Sequence, residues 1–511
     1  MLVKAAPSAP GNTTSWSPGE LVRWRRTDPV PGAIDRRTAL TPGDGSQPNV
    51  LLIVADQHRY DCVGAAGGYP VQTPNLDALA SSGTFYTSAF TPIPLCVPAR
   101  QALLTGARPE SFGALWNYDL GPLVTALAPD AYSWPRELQR KGYRTHYLGK
   151  WHVNPDHGPT DFGYDSYVSL QDYEDWRRAK YPAERVPDGW FGAVDPIPVE
   201  ASRTHWFARQ ASSFLEEAGR TGRPWHLRVD FVEPHLPCTP CAQFAERYPP
   251  QLIPPWPSVA DPLAGKPYIQ RQQRVTWGVQ DFTWQDWAPV VARYYAVISQ
   301  LDDAVGRILA SLASTGQQDR TVVVYTSDHG DMCGAHGMID KHYVMYDDVV
   351  RVPLIIRWPG RSPAPRRTDD FVVNALDLPA TIATLAGVPT PPSGHGKILG
   401  FDSSGALQSP ISPPRKHVVA TYNGQQFGLY SQRMIRTRDW KYIWNATDVD
   451  ELYDLRSDPA EMVNLIEDPS NRELLGELRS ALHAELVEHG DRLVDNAWLR
   501  HQLLAGAKLD R

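Results

Sequence analysis

Hydrophobic residues fall into two patterns along this chain. Largely apolar runs occur at Asn49–Ala55, His226–Val232, Thr321–Tyr325 and Pro353–Arg357. A strand covered on one face alternates apolar and polar residues, so such a run predicts a strand buried on both faces of a parallel sheet. Helical spacing appears between the runs. Pro74–Ala80 opens on a proline and is followed by Gly83, and Val297, Leu301, Val305, Ile308 and Leu312 line one face of Arg293–Ser314. Strands alternating with helices predict a large, mostly parallel α/β sheet with right-handed crossovers and flanking helices.

The pattern changes near residue 400. Short strands at His417–Tyr422, Met434–Thr437 and Trp440–Trp444 precede an amphipathic stretch at Arg472–His489. These predict a small α+β subdomain, an antiparallel sheet closed by a helix. Residues 1–47 are rich in Pro, Gly, Ser, Thr and Arg and read as an extended arm. The expected organisation is therefore an arm over 1–47, a catalytic domain over 48–400 and a C-terminal subdomain over 401–511, without internal repeats.

Composition narrows the function classes. The 511 residues are 42% hydrophobic and 21% charged, as in an ordinary globular protein. A net charge of -7 argues against a nucleic-acid surface, which needs a basic face. The first 47 residues carry no apolar leader, and no stretch approaches the roughly 20 apolar residues of a membrane span. A cytoplasmic protein without a membrane partner is the expectation. Five cysteines (62, 96, 238, 241 and 333) are too few and scattered for a disulfide framework. Cys238 and Cys241 form a CxxC without a matching second half, so a local disulfide or two plain thiols is expected rather than zinc.

In an open α/β sheet, ligands bind beyond the carboxyl ends of the strands. Asp56-Gln57, Glu233-Pro-His235 and Ser327-Asp328-His329-Gly330 fall at such ends. Asp56, Gln57, Asp328 and His329 offer three oxygens and an imidazole, a donor set for a divalent cation such as Ca²⁺, Mg²⁺ or Mn²⁺. Either pair taken alone is also explained by a helix cap or a turn.

Cys96-Val-Pro-Ala-Arg100, followed by Leu104-Thr-Gly106, resembles the modification signature of type I sulfatases. Gly149-Lys150-Trp-His152, Pro234-His235-Leu-Pro237, Asp328-His329-Gly330, Lys341, Arg436–Lys441 and Glu451–Leu455 follow in the order of that family. The resemblance spans about residues 48–467 and implies an alkaline-phosphatase-like fold. It further implies that a maturation enzyme converts Cys96 to formylglycine. The aldehyde hydrate would then attack sulfur, and the resulting hemiacetal sulfate would collapse to release sulfate. On the same basis the metal ligands are Asp56, Gln57, Cys96, Asp328 and His329, with Ca²⁺ expected and Mn²⁺ or Mg²⁺ as alternatives. Arg100 would hold the hydrate, and Lys150 and Lys341 would grip sulfate. His152 would act as base, His235 as acid for the leaving alcohol, and Asn117 would bind sulfate. His336 and His342 are further candidates for the pocket wall.

Many sulfatases carry Asp-Asp and Asp-Asn where this chain has Asp56-Gln57 and Asp328-His329. That combination is similar to the branch with choline-sulfatase-like enzymes and phosphonate monoester hydrolases. The competing expectation is accordingly a phosphonate monoester or phosphodiester hydrolase, against which the Lys150–His152 pair argues. A third is an inactive relative that binds sulfated glycans. The expected substrate is a sulfated saccharide or a small aryl or alkyl sulfate. The arm suits wrapping a neighbouring subunit, which makes a homo-oligomer an expectation.

Overall fold

A computed structural model describes residues 47–118, 126–185, 189–358, 366–399, 414–425 and 428–506. The predicted arm lies almost wholly outside the described residues.

Among the described residues, ten strands precede residue 400: β1 Asn49–Asp56, β2 Thr84–Tyr86, β3 Ala89–Phe90, β4 Arg144–Gly149, β5 Ser166–Ser169, β6 Trp225–Pro234, β7 Thr321–Ser327, β8 Leu354–Arg357, β9 Arg366–Thr368 and β10 Val372–Val373. Eight of them form one sheet in the order β5-β4-β6-β1-β7-β8-β2-β9, and β3 pairs with β10 apart from it. The neighbours β5, β4, β6, β1 and β7 are mutually parallel. Their carboxyl ends therefore share one rim. β8 runs antiparallel to β7, so the run at Pro353–Arg357 is buried as expected but reversed.

Both faces of β1 are buried. Val50, Leu52 and Val54 point into one apolar cluster, whereas Leu51, Ile53 and Ala55 point into another. This two-residue alternation within an unbroken apolar run is what a strand sandwiched between helices requires. The helix predicted at Arg293–Ser314 begins earlier and spans Trp284–Ser314, with Pro289 inside it. Its start is a capping box in which Thr283 and Asp286 satisfy each other's backbone N–H groups. Pro289 is the sixth residue of the helix, past the first four N–H groups that lack a helical partner, so it deprives the Gln285 carbonyl of its i+4 donor.

After residue 400, β11 Val418–Gln425, β12 Gly428–Arg436, β13 Trp440–Asn445 and β14 Glu451–Asp454 form an antiparallel sheet in sequential order. Val419, Ile435, Tyr442 and Trp444 pack against Leu475, Leu478, Leu482 and Leu486 of the closing helix Arg472–Glu488. Each buried leucine contributes about 1.5–3 kcal/mol, so Leu482→Asp would detach that helix. Tyr422, Met434, Ile443 and Tyr453 belong instead to the cluster that holds Val50. Apolar packing is thus continuous across residue 400. Among the described residues no helix is long and apolar enough to cross a membrane. All five cysteines are buried free thiols, which leaves plain thiols of the two states expected for Cys238 and Cys241.

Candidate active site

Four adjacent strand ends supply the polar rim. β1 ends at Asp56, β4 leads into Lys150, β6 into His235, and β7 into Asp328 and His329. The helix Cys96–Thr105 begins at the same rim and is buried along its whole length. Its N-terminus is held by Asn117, whose Oδ1 accepts the Val97 N–H at 2.9 Å. Asn117, expected to bind sulfate, therefore also fixes the helix that presents Cys96.

Asp56, Cys96, Asp328 and His329 each bring a ligand atom within 4.8 Å of the other three, and all four are buried. Cys96 Sγ lies 3.2 Å from His329 Nε2 and 3.7 Å from Asp56 Oδ1. His329 Nε2 is 3.8 Å from Asp56 Oδ1 and 3.7 Å from Asp328 Oδ1. Ligand atoms set 2.3–2.6 Å from a Ca²⁺ stand roughly 3.3–4 Å from one another. The spacing and the two carboxylates of this group fit a divalent cation.

The outer carboxylate oxygens are held by cations. Arg100 donates through Nη2 to Asp56 Oδ2 (2.9 Å), through Nε to Asp328 Oδ2 (3.1 Å) and through Nη1 to Asp230 Oδ2 (2.6 Å). Its guanidinium is committed to these carboxylates and to the Lys150 carbonyl. Lys150 Nζ meets Asp56 Oδ2 at 2.5 Å. The Oδ1 atoms of Asp56 and Asp328 are thereby left toward Cys96 and His329. Asp230 is anchored in turn by Arg228 and by the Tyr147 hydroxyl.

Gln57 stands beside this group. Its Oε1 accepts from Lys341 Nζ at 2.9 Å, while its Nε2 donates to Asp331 and Asp340. Lys341 Nζ also lies 2.9 Å from His235 Nε2, and His235 Nδ1 is 2.6 Å from the Leu236 carbonyl. An ammonium only donates, so Nε2 accepts here and Nδ1 carries the hydrogen given to Leu236. His152 has φ +45° and meets Tyr118 edge-on. Gln57 and Asp340 also adopt left-handed backbone, at φ +70° and +68°. Non-glycine residues rarely do so, and such strain gathers at functional sites. Gly149 has φ +95°, and a Cβ there would sit 2.1 Å from the Asp230 carbonyl oxygen. Only glycine lets the chain bring Lys150 N within 2.9 Å of that oxygen.

Electrostatics follow from this packing. Burial, with the Cys96 sulfur adding to it, disfavours a charged Asp56, yet Lys150, His235 and Arg100 hold its carboxyl well below the usual range. Burial likewise opposes a charged Cys96, but Lys150, Lys341 and His329 pull its thiol far down, helped by a hydrogen bond with His152. Burial and the neighbouring Asp56 push Asp328 up.

Of the candidate site residues, the rim gathers Asp56, Gln57, Cys96, Arg100, Asn117, Lys150, His152, His235, Asp328, His329 and Lys341 but not the candidate wall residue His336. That side chain pairs with Asp261 at 2.6 Å and stacks on Tyr346, with Lys266 close by, and none of these belongs to the cluster. The strained turn at His336, φ +52°, directs it there. His342 bonds Asp340 Oδ2 at 3.0 Å and so buttresses the Lys341 loop. Sequence reasoning missed Asp230, Asp331, Asp340 and Gln425. Asp230 and Arg228 were signalled as charges inside an apolar strand. Gln425, whose Oε1 accepts the Asn117 N–H at 3.1 Å, carries no such signal.

Comparison with known proteins agrees with this geometry. The Sulfatase family model matches residues 48–388, and the model for N-sulphoglucosamine sulphohydrolase, C-terminal, matches residues 334–488. The chain is 31% identical over 474 residues to the sulfatase YidJ of Escherichia coli (strain K12), itself uncharacterized, covering 88% of each. It is 27% identical to an arylsulfatase of Clostridium perfringens, covering 86% of this chain and 94% of that one. Among solved structures it resembles the phosphonate monoester hydrolase of Agrobacterium radiobacter (TM-score 0.73, 24% identity, 91% and 98% covered). It also resembles BT4656 in complex with its substrate D-glucosamine-2-N,6-O-disulfate (TM-score 0.72, 22% identity, 88% and 100% covered). At these identities the structural likeness is one of fold, a mostly parallel sheet of alkaline-phosphatase type.

Proposed function

The chain belongs to the sulfatase family, whose members hydrolyse sulfate esters, and on that premise we propose that it cleaves sulfate monoesters of a saccharide or a small aryl or alkyl alcohol. Cys96, matured to formylglycine, is the nucleophile. Asp56, Asp328 and His329, with Gln57 beside them, would hold one divalent cation. Two carboxylates favour Ca²⁺, and the imidazole is the feature that would turn the site toward Mn²⁺. Such a cation, when bound, offsets the charge of the sulfate oxygens that otherwise repel a nucleophile.

The observation that carries the reading is the group of Asp56, Cys96, Asp328 and His329 around one point, with Arg100 behind the carboxylates. The chain's own groups divide the remaining work. Lys150 and Lys341 bring positive charge to where sulfate oxygens would lie. The hydrogen bond between His152 and the side chain of residue 96 supports its role as the base that takes a proton from a hydroxyl there. The Lys341–His235 pair holds a proton beside the departing alcohol.

Mass spectrometry of the peptide holding Cys96 tests the nucleophile, with the mass deficit of formylglycine relative to cysteine as the expected result. A fully active protein with an unaltered thiol would refute it. A panel of sulfated sugars, choline sulfate, nitrophenyl sulfate and a phosphonate monoester tests the reaction, and faster turnover of the phosphonate would overturn the proposal. Cys96→Ala should abolish turnover, whereas a pure glycan-binding protein would keep its ligand.

A further inference from the structure

Two tryptophans among the described residues are exposed, Trp190 at 65% and Trp498 at 84%. Trp498 sits on the last helix, Ala497–Ala505. Trp190 is different, because the chain around it is fastened to the active-site rim on two sides.

On one side, Gly192 packs so tightly on the segment after β6 that a Cβ would lie 1.9 Å from the Cys238 carbonyl oxygen. Asp195 N donates to the Pro240 carbonyl at 2.8 Å. Cys238 is three residues beyond His235. On the other side, the Trp190 ring meets Trp277 edge to face, with centroids 5.6 Å apart and planes at 87°. Trp277 caps the helix Tyr268–Thr276, whose Gln273 Nε2 donates to the His342 carbonyl at 2.8 Å, next to Lys341. Phe191 packs on Phe282, and its carbonyl accepts from Arg293 Nε at 2.9 Å. The exposed ring is therefore held by neighbours rather than free to collapse. His235 and Lys341 are themselves 2.9 Å apart, so both attachments lead to the side where the alcohol would depart.

We propose that Trp190, braced by Trp277, is a platform on which a pyranose ring of an oligosaccharide sulfate stacks, one or more sugars beyond the ring that bears the cleaved ester. This inference rests on the sulfatase reading and names its substrate class. The face of an indole carries partial negative charge, and the C–H face of a pyranose presents the apolar, weakly positive surface that matches it. A nucleic-acid partner has less to meet, given the net charge of -7. By chain length, Trp190 lies at most about 25 Å from His235. Any separation up to that bound is one that an oligosaccharide can span.

The test compares wild type, Trp190→Ala, Trp190→Phe and the remote control Trp498→Ala. The substrates are nitrophenyl sulfate, sulfated monosaccharides and sulfated oligosaccharides. One lost aromatic contact of this kind is worth about tenfold in affinity. Trp190→Ala should raise KM for the preferred oligosaccharide about tenfold with kcat nearly constant. Its kcat/KM ratio of oligosaccharide to nitrophenyl sulfate should fall by the same factor. Trp190→Phe should keep most of the ratio, and Trp498→Ala all of it. Equal effects on every substrate, no effect on any oligosaccharide, or a change in molecular mass on mutation would overturn the platform. If wild type cleaves no sulfate ester at all, the sulfatase reading is what fails. Quenching of wild-type tryptophan fluorescence by the oligosaccharides, lost in Trp190→Ala, would then still decide the platform.

Discussion

Arg100 offers the most direct trial of the site's physics. It is fully buried, and its guanidinium touches three carboxylates that are themselves at most 1% exposed at the side chain. Replacing it with methionine keeps the volume and removes the charge. The three partners are not left equally exposed. Asp230 retains Arg228 at 2.8 Å and the Tyr147 hydroxyl, and Asp56 retains Lys150 at 2.5 Å. Asp328 keeps only the backbone N–H groups of Gln57 and His329 and the His329 ring. The loss is therefore mainly one uncompensated buried charge, which costs about 3–5 kcal/mol. With an unfolding entropy of about 2.1 cal/mol/K per residue over the 511 residues, this lowers Tm by roughly 3–5 °C. Arg100→Lys restores a charge but no fork, so it should recover only part. Thermal unfolding in EDTA, followed by circular dichroism, reads the effect. Turnover of nitrophenyl sulfate should fall at least 100-fold in Arg100→Met, because the carboxylates lose their orientation. A Tm within 1 °C of wild type would refute the reasoning, since it would mean that the carboxylates are not held as charges by Arg100.

Three other outcomes follow from the structure. Asn117→Ala removes the acceptor for the Val97 N–H at the start of the Cys96 helix, and should cost about 0.5–2 kcal/mol together with a drop in kcat. Chelation should abolish turnover and lower Tm, and readdition of Ca²⁺ or Mn²⁺ in a titration should restore both. If EDTA-treated, metal-free protein stays fully active, the cation site is disproved. Glu461 is pushed up from 4.5 to about 7, by burial first, with Asp347 adding to it and Lys441 opposing. A raised folded-state value means that the folded protein holds this proton more tightly than the unfolded chain. The resulting stabilisation is complete below pH 4.5 and disappears as pH rises through 7, so about 1.4 kcal/mol is lost between pH 6 and 8. Denaturant unfolding at both pH values measures it, and Glu461→Gln should flatten the difference.

How much of this was legible in the sequence depends on whether the signal was local. β1 and β7 announced themselves because burial on both faces demands unbroken apolar runs, and β6 did so by a largely apolar one. β4, Arg144-Thr-His-Tyr-Leu-Gly149, did not, although five of its six residues are buried. Its polar side chains are satisfied by partners distant in the chain: Thr145 Oγ1 donates to the Gly163 carbonyl, and His146 meets Ser166 and stacks on Phe214. No window of residues around β4 contains that information. The same division runs through the active site. Asp56, Asp328 and His329 are readable because they fall at strand ends and, although a cap or a turn would explain either pair alone, the order of motifs links them to one family. That Arg100 serves three carboxylates is not readable, because it follows from β4, β6, β1 and β7 lying side by side with one helix starting at their rim. A motif specifies which donors and acceptors are present. The strand order alone decides that Asp230, buried inside β6 and part of no motif, becomes the counter-charge that keeps Arg100 from competing for the inner oxygens of Asp56 and Asp328.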